Sequence, residues 1–145
     1  MRVIATLGGY HDRVYVESND KIVTQDDNQI SLWDIETGDL LKTYSFEQDV
    51  GQEVFSPDSE KVAFESGKNF VLLNTKSGEI ITSQKFDSSI GNITFSPDSE
   101  KVAFDPGKNF VLLNTKTGEI IASQKFDSYI DNVTFSPDSE KVAFE

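Results

Sequence analysis

The chain has no cysteine, one histidine and one methionine in 145 residues. Disulfides, thiol catalysis and cysteine-ligated zinc are excluded. A single histidine, His11, cannot make a zinc site unless carboxylates from elsewhere complete it. No nucleophile is placed with it in a Ser-His-Asp arrangement, and no glycine-rich phosphate loop occurs. No apolar run approaches the roughly 18 residues that a membrane-spanning helix needs. The opening residues Met1–Leu7 are too short for a signal peptide's apolar region and cleavage site, so a cytoplasmic location is the default expectation. Apolar residues at a 3.6 spacing are missing too, which argues against helices. Positive charge is scarce: 13 Lys and Arg stand against 25 Asp and Glu, a net charge of −12. Such a surface repels phosphates, so neither nucleic acid nor an anionic membrane is an expected partner. Solubility is the plain meaning of this charge, and a basic protein or peptide is the partner it suits.

What is present is a strand composition. Val, Ile, Thr and 11 Phe occur in short runs broken by Gly, Pro, Asn and Asp. The runs repeat. Phe-Ser-Pro-Asp-Ser-Glu-Lys-Val-Ala-Phe occurs at Phe55–Phe64, Phe95–Phe104 and Phe135–Phe144, 40 residues apart each time. Residues 65–104 and 105–144 differ only at positions 65, 66, 77, 82, 89, 91 and 93 of the first copy. Residues 25–64 match the next copy at 14 of 40 positions in the same register, and residues 1–24 are a diverged partial copy. Near-identity of the last two copies points to recent duplication or deliberate construction, and away from a specialised catalytic role for either.

One unit reads as four strands. Asn92–Phe95 is short, and Ser96-Pro97-Asp98-Ser99 follows as a type I turn, with Pro presetting φ at its second position. Lys101–Phe104 is the second strand, and Pro106-Gly107-Lys108 breaks the chain. Asn109–Asn114 is the third, and its four consecutive apolar residues suggest burial on both faces. After a turn at Lys116–Glu119, Glu119–Lys125 alternates as an outer strand should. Four antiparallel strands in about 40 residues describe a propeller blade.

The segment Gln29–Asp34 with Glu36-Thr37-Gly38, and the motif Phe-Ser-Pro-Asp-Ser, resemble the third-strand and first-strand motifs of the WD-repeat family. The resemblance covers essentially the whole chain and implies an all-β fold, a β-propeller of four-stranded antiparallel blades. It says almost nothing of function. The chain departs from the family in three ways. Phe46, Phe86 and Phe126 stand at the family's His position. The Trp-Asp pair occurs once, at Trp33-Asp34, and becomes Leu73-Asn74 and Leu113-Asn114. The family's hydrogen-bonded tetrad is therefore expected to be absent, with apolar packing in its place. Ser59, Ser99 and Ser139 replace the turn glycine, a poorer fit by about 1 kcal/mol if φ is positive there.

The chain reads as a single partial propeller over residues 1–145. An outer strand at Arg2–Leu7 precedes three full blades beginning near Arg13, Glu53 and Asn92. Two inner strands, Asn132–Phe135 and Lys141–Glu145, end it. The family resemblance implies closure by a blade shared between chain ends. A head-to-tail dimer would give an eight-bladed ring and is the favoured expectation; a piece of a longer propeller and a self-closed monomer are the alternatives.

No catalytic, cofactor-binding or metal-binding residue is singled out. Asp26-Asp27-Asn28 reads as an ordinary polar turn, and Trp33 as packing between blades. Tyr10, His11, Tyr129 and Asp131 fall in loops on one rim, where binding surfaces lie. Arg13 and Glu53 occupy equivalent positions in successive copies and suggest an inter-blade ion pair near a central channel. The alternative is a one-residue shift of that strand, with Val14 and Val54 facing the core. The leading functional expectation is a non-enzymatic scaffold or protein-interaction module, pairing with itself and suited to a basic partner, without a cofactor. A small-ligand binder or enzyme using the central channel is one alternative. An amplified or engineered repeat array without a specific ligand is the other.

Overall fold

The computed structural model describes residues 21–144 and the backbone of residues 13–15. The described residues form fourteen strands and no helix. They build three four-stranded antiparallel sheets in simple meander order and one two-stranded sheet. The first sheet holds β1 (Arg13–Tyr15), β2 (Lys21–Asp26), β3 (Gln29–Asp34) and β4 (Leu40–Ser45). The second holds β5 (Val50–Phe55), β6 (Lys61–Ser66), β7 (Asn69–Asn74) and β8 (Ile80–Lys85). The third holds β9 (Ile90–Phe95), β10 (Lys101–Pro106), β11 (Asn109–Asn114) and β12 (Ile120–Lys125). The last holds β13 (Val133–Phe135) and β14 (Val142–Phe144). Repeated four-stranded sheets of this kind fit a propeller-like repeat.

The sheets stack face to face in chain order, and strand alternation explains how. Side chains point to opposite faces at a period of two. In β6 and β7, Val62, Phe64, Val71 and Leu73 join Val23, Ile30 and Leu32 in the core between the first and second sheets. Their alternates Ala63, Phe70 and Leu72 join Val102, Phe104, Val111 and Leu113 between the second and third. The apolar run Phe70–Leu73 is thus buried on both faces, with every member at 0% exposure.

A ring cluster recurs at each junction. Phe104 stacks on Phe70 of the preceding sheet, 3.9 Å between centroids at 7°, and meets Phe86 edge-on at 5.3 Å. Phe144 meets Phe110 and Phe126 in the same way, and Phe46 lies edge-on to Phe64. Phe46, Phe86 and Phe126 therefore pack on apolar rings, as the residue types predicted. One buried polar contact stands among these apolar centres. In the first sheet Trp33 Nε1 donates to Thr24 Oγ1 at 2.9 Å, with both residues buried. Leu73 and Phe64, then Leu113 and Phe104, replace this pair in later copies by apolar groups that need no partner.

The turns carry the repeat's polar structure. Ser99 N donates to Ser96 O at 2.9 Å, closing the expected turn, and Ser59, Ser99 and Ser139 have φ of 62°, 65° and 64°. The penalty for positive φ has a compensation. Ser99 Oγ accepts from Asp58 N at 3.1 Å, and Ser139 Oγ accepts from Asp98 N at 3.0 Å, so each serine ties its turn to that of the preceding sheet. Glycine would remove the strain and the tie together. At the next turn Asp34 Oδ1 accepts from Glu36 N and Thr37 N. Asn74 and Asn114 accept from the equivalent amides, so Asn replaces Asp there without losing the cap.

Three features differ from the strand reading of the sequence. β9 starts at Ile90 and β10 runs to Pro106, each two residues beyond the expected limit, with a register shift between Ala103 and Asp105. Asn92 and its counterpart Gln52 bulge there with φ of 47° and 52°. β1 pairs Arg13 with Gln25 and Tyr15 with Val23, one residue out of step with β5, which pairs Phe55 with Val62. Finally, β13 begins only at Val133. A Cβ on Gly91 would lie 2.6 Å from Asp105 Oδ1. The expected outer strand Arg2–Leu7 lies outside the described residues.

Candidate functional site

One rim of the sheet stack collects the loops that leave the outer strands and the turns between β2 and β3, β6 and β7, and β10 and β11. Backbone hydrogen bonds join the two sets: Phe46 N to Asn28 O, Phe86 N to Lys68 O and Phe126 N to Lys108 O, all 2.9 Å. Five of the seven differences between the last two copies fall on this rim or the strands rising to it, at positions 65, 66, 89, 91 and 93. Two concavities open nearby. One of about 430 Å³ lies among Glu47, Gln48, Lys68, Lys85 and Ser89. The other, of about 310 Å³, is lined by Phe126, Tyr129, Ile130 and Phe144 with Asp127 and Ser128.

Tyr129 lies at the mouth of an apolar hollow. It is 69% exposed, with Lys108 Nζ 5.5 Å from its ring centroid. Asp131 is exposed in the segment before β13. Tyr10 and His11 lie outside the described residues, so the structure does not bring the four residues together. The side chain of Arg13 lies outside them too. Glu53 occupies the β5 bulge, and its charge acts on Glu65 of β6. Val54, whose inward turn was the alternative, packs partly on the core between the second and third sheets. Trp33 is 9% exposed and belongs to the packing, and Asp27 has φ of 41° in a two-residue hairpin turn.

Sequence reasoning did not single out the polar nodes beside the bulges. Gln52 Nε2 donates to Ile90 O at 2.8 Å, reaching the next sheet. Asn92 Nδ2 does the same to Ile130 O at 3.1 Å and also donates to Asp105 Oδ2 at 2.8 Å. Asp105 is buried, and its Oδ1 has no hydrogen-bond partner. Burial pushes its carboxyl above the usual range, against the opposing hydrogen bond from Asn92. Burial, then the neighbouring Glu53, raises Glu65 likewise. The available signal was two amides and two acids, each pair 40 residues apart, with Gly51 and Gly91 opposite the acids.

Chemically, these nodes hold sheet to sheet. Among the described residues no group of three or more His, Asp or Glu converges as a metal site, and no helix is long and apolar enough to cross a membrane. No protein-family model matches the chain, and no curated protein matches it.

Proposed function

We propose that the chain is a non-enzymatic scaffold and protein-interaction module whose propeller-like sheets close into a ring with a second copy. The observation that carries this reading is an unsatisfied interface. Phe95, Val102 and Phe104 are 8%, 0% and 0% exposed, whereas their counterparts Phe135, Val142 and Phe144 are only half-buried. β12 is exposed along its whole length, and Ile121 is 49% exposed where Ile81 packs partly on the core. Further strands laid beside β14 would bury these side chains, as Val111 and Leu113 of β11 help to bury Phe95, Val102 and Phe104 in the third sheet. A second copy of the chain offers sheets of matching shape, and closure removes free ends. The polar nodes described above serve this reading as inter-sheet fastenings, and the acidic surface suits a basic protein or peptide as partner.

Light scattering coupled to size exclusion tests the ring. A particle of twice 16.2 kDa is expected, and Ile121→Asp, a change at an exposed position, should halve it. A wild-type monomer at every concentration up to about 100 µM overturns the ring.

A further inference from the structure

The turn between third and fourth strands occurs three times with one backbone. The caps on Asp34, Asn74 and Asn114 are the same, and Gly38, Gly78 and Gly118 have φ of 76°, 78° and 76°. The charges differ. The first turn carries Asp34, Glu36 and Asp39; the second has Asn74, Lys76 and Glu79, and the third Asn114, Lys116 and Glu119. Backbone hydrogen bonds from Thr37 and Glu36 hold the Asp34 carboxyl below the usual range, so it stays ionised.

The apolar residues after the turn differ as well. Leu40 and Leu41 are 53% and 49% exposed. In the second copy Ile80 is 39% exposed, while Ile81 is drawn against the turn at Gly118 and the core. Only the first hairpin joins three acids to two exposed aliphatic side chains. Two lysines lie near it. Lys21 pairs with Asp34 in register, but Lys61 and Lys101 repeat it in the other sheets. Lys42 turns toward the next sheet, its Nζ donating to Gly78 O at 3.2 Å. Among the described residues β4 is the edge strand of its sheet.

We infer that this first hairpin, Asp34 to Leu41 with the edge of β4, docks an extended basic peptide bearing aliphatic side chains. The inference rests on the reading of the chain as an interaction module and not on ring closure. An extended segment pairs its backbone with an open edge strand. Its aliphatic side chains cover Leu40 and Leu41, and its Lys or Arg side chains meet the carboxylates, which set orientation and association rate.

The test is fluorescence anisotropy of a labelled peptide of about ten alternating Lys and Val residues, titrated with the full chain. Saturable binding is expected, weakening at least about tenfold between about 50 and about 300 mM salt. Asp34→Asn with Glu36→Lys installs the residues that the other copies carry on the same backbone, and should weaken binding at least about tenfold. Leu40→Ser with Leu41→Ser should weaken it about fivefold without moving the urea midpoint. Undiminished binding by either variant, or no binding by the wild type, overturns the inference. Solution mass reports on the ring separately: a monomer that binds here refutes closure alone, and a dimer that does not bind refutes only this surface.

Discussion

The junction between the second and third sheets and the junction between the third and last sheets are built from nearly the same sequence, yet they differ in burial. At the first, Phe104 is fully enclosed between Phe70, Phe86 and its own sheet partner Val111. At the second, Phe144 keeps the equivalent ring contacts but is only half-buried, and among the described residues its sheet has no strand in the place of β11 with its Val111. The aromatic cluster is thus a property of the repeat. The burial that turns it into stability belongs to the strands that complete the same sheet.

The sharpest way to break the comparison is to truncate both rings. Phe104→Ala leaves a cavity in an enclosed core and should cost about 3–5 kcal/mol, whereas Phe144→Ala, with one side already open, should cost about 1–2 kcal/mol. Urea unfolding at low protein concentration measures both. Equal losses would mean that the open side of Phe144 is covered in solution, and a loss for Phe144→Ala that grows with concentration would place a second copy there.

A second comparison sets the polar centre of the first sheet against the apolar centres of the others. Thr24→Val strands the buried Trp33 N–H and should cost about 1–3 kcal/mol. Thr24→Phe combined with Trp33→Leu copies the second sheet and should recover most of that loss in thermal melts. Failure to recover would show that the two solutions are tied to their own surroundings.

Smaller effects are expected at the serine turns. Ser99→Ala keeps the positive φ and removes the acceptor for Asp58 N, a loss of about 1 kcal/mol. Ser99→Gly loses the same bond but relieves strain of about 1 kcal/mol, so it should lie close to wild type. A glycine variant as unstable as the alanine variant would show that the hydrogen bond dominates.

The smallest effect is one of pH. The Asp105 carboxyl titrates higher in the folded chain than in the unfolded one, so its charged form opposes folding. That cost is complete above the raised folded value and vanishes below the ordinary carboxylate value. Asp34, Asp98 and Asp138 are lowered and act the other way, losing their contribution as pH falls through their folded values. The difference in urea midpoint between wild type and Asp105→Asn isolates the first effect. The variant's advantage should be greatest near neutral pH and shrink on acidification. An advantage independent of pH would assign the change to packing against Gly91.

Much of the fold was legible because its determinants are local. The span Asn109–Asn114, the Ser-Pro-Asp-Ser turns and the burial of Phe70–Leu73 on both faces follow from period-two patterning and turn chemistry. The strand extensions, and the node of Asn92 with Asp105, were not legible, because they depend on a bulge and on what lies opposite it. Of the rim residues, Tyr129 and Asp131 lie exposed outside the strands. The hollow beside Tyr129 was beyond reach, since Phe144 of β14 closes it against the segment Phe126–Ile130.

By itself, then, the sequence determined that the chain makes all-β units of four strands at a 40-residue interval. Spacing and side-chain type suffice for that, because strand alternation and turns are short-range. Tertiary structure alone decided that the serine turns bridge neighbouring sheets, that Trp33 finds Thr24, and that Asn92 meets Asp105. Each of these joins groups that are distant in the chain or lie on different strands. Their energies depend on hydrogen-bond geometry and excluded volume, which no reading along the chain contains.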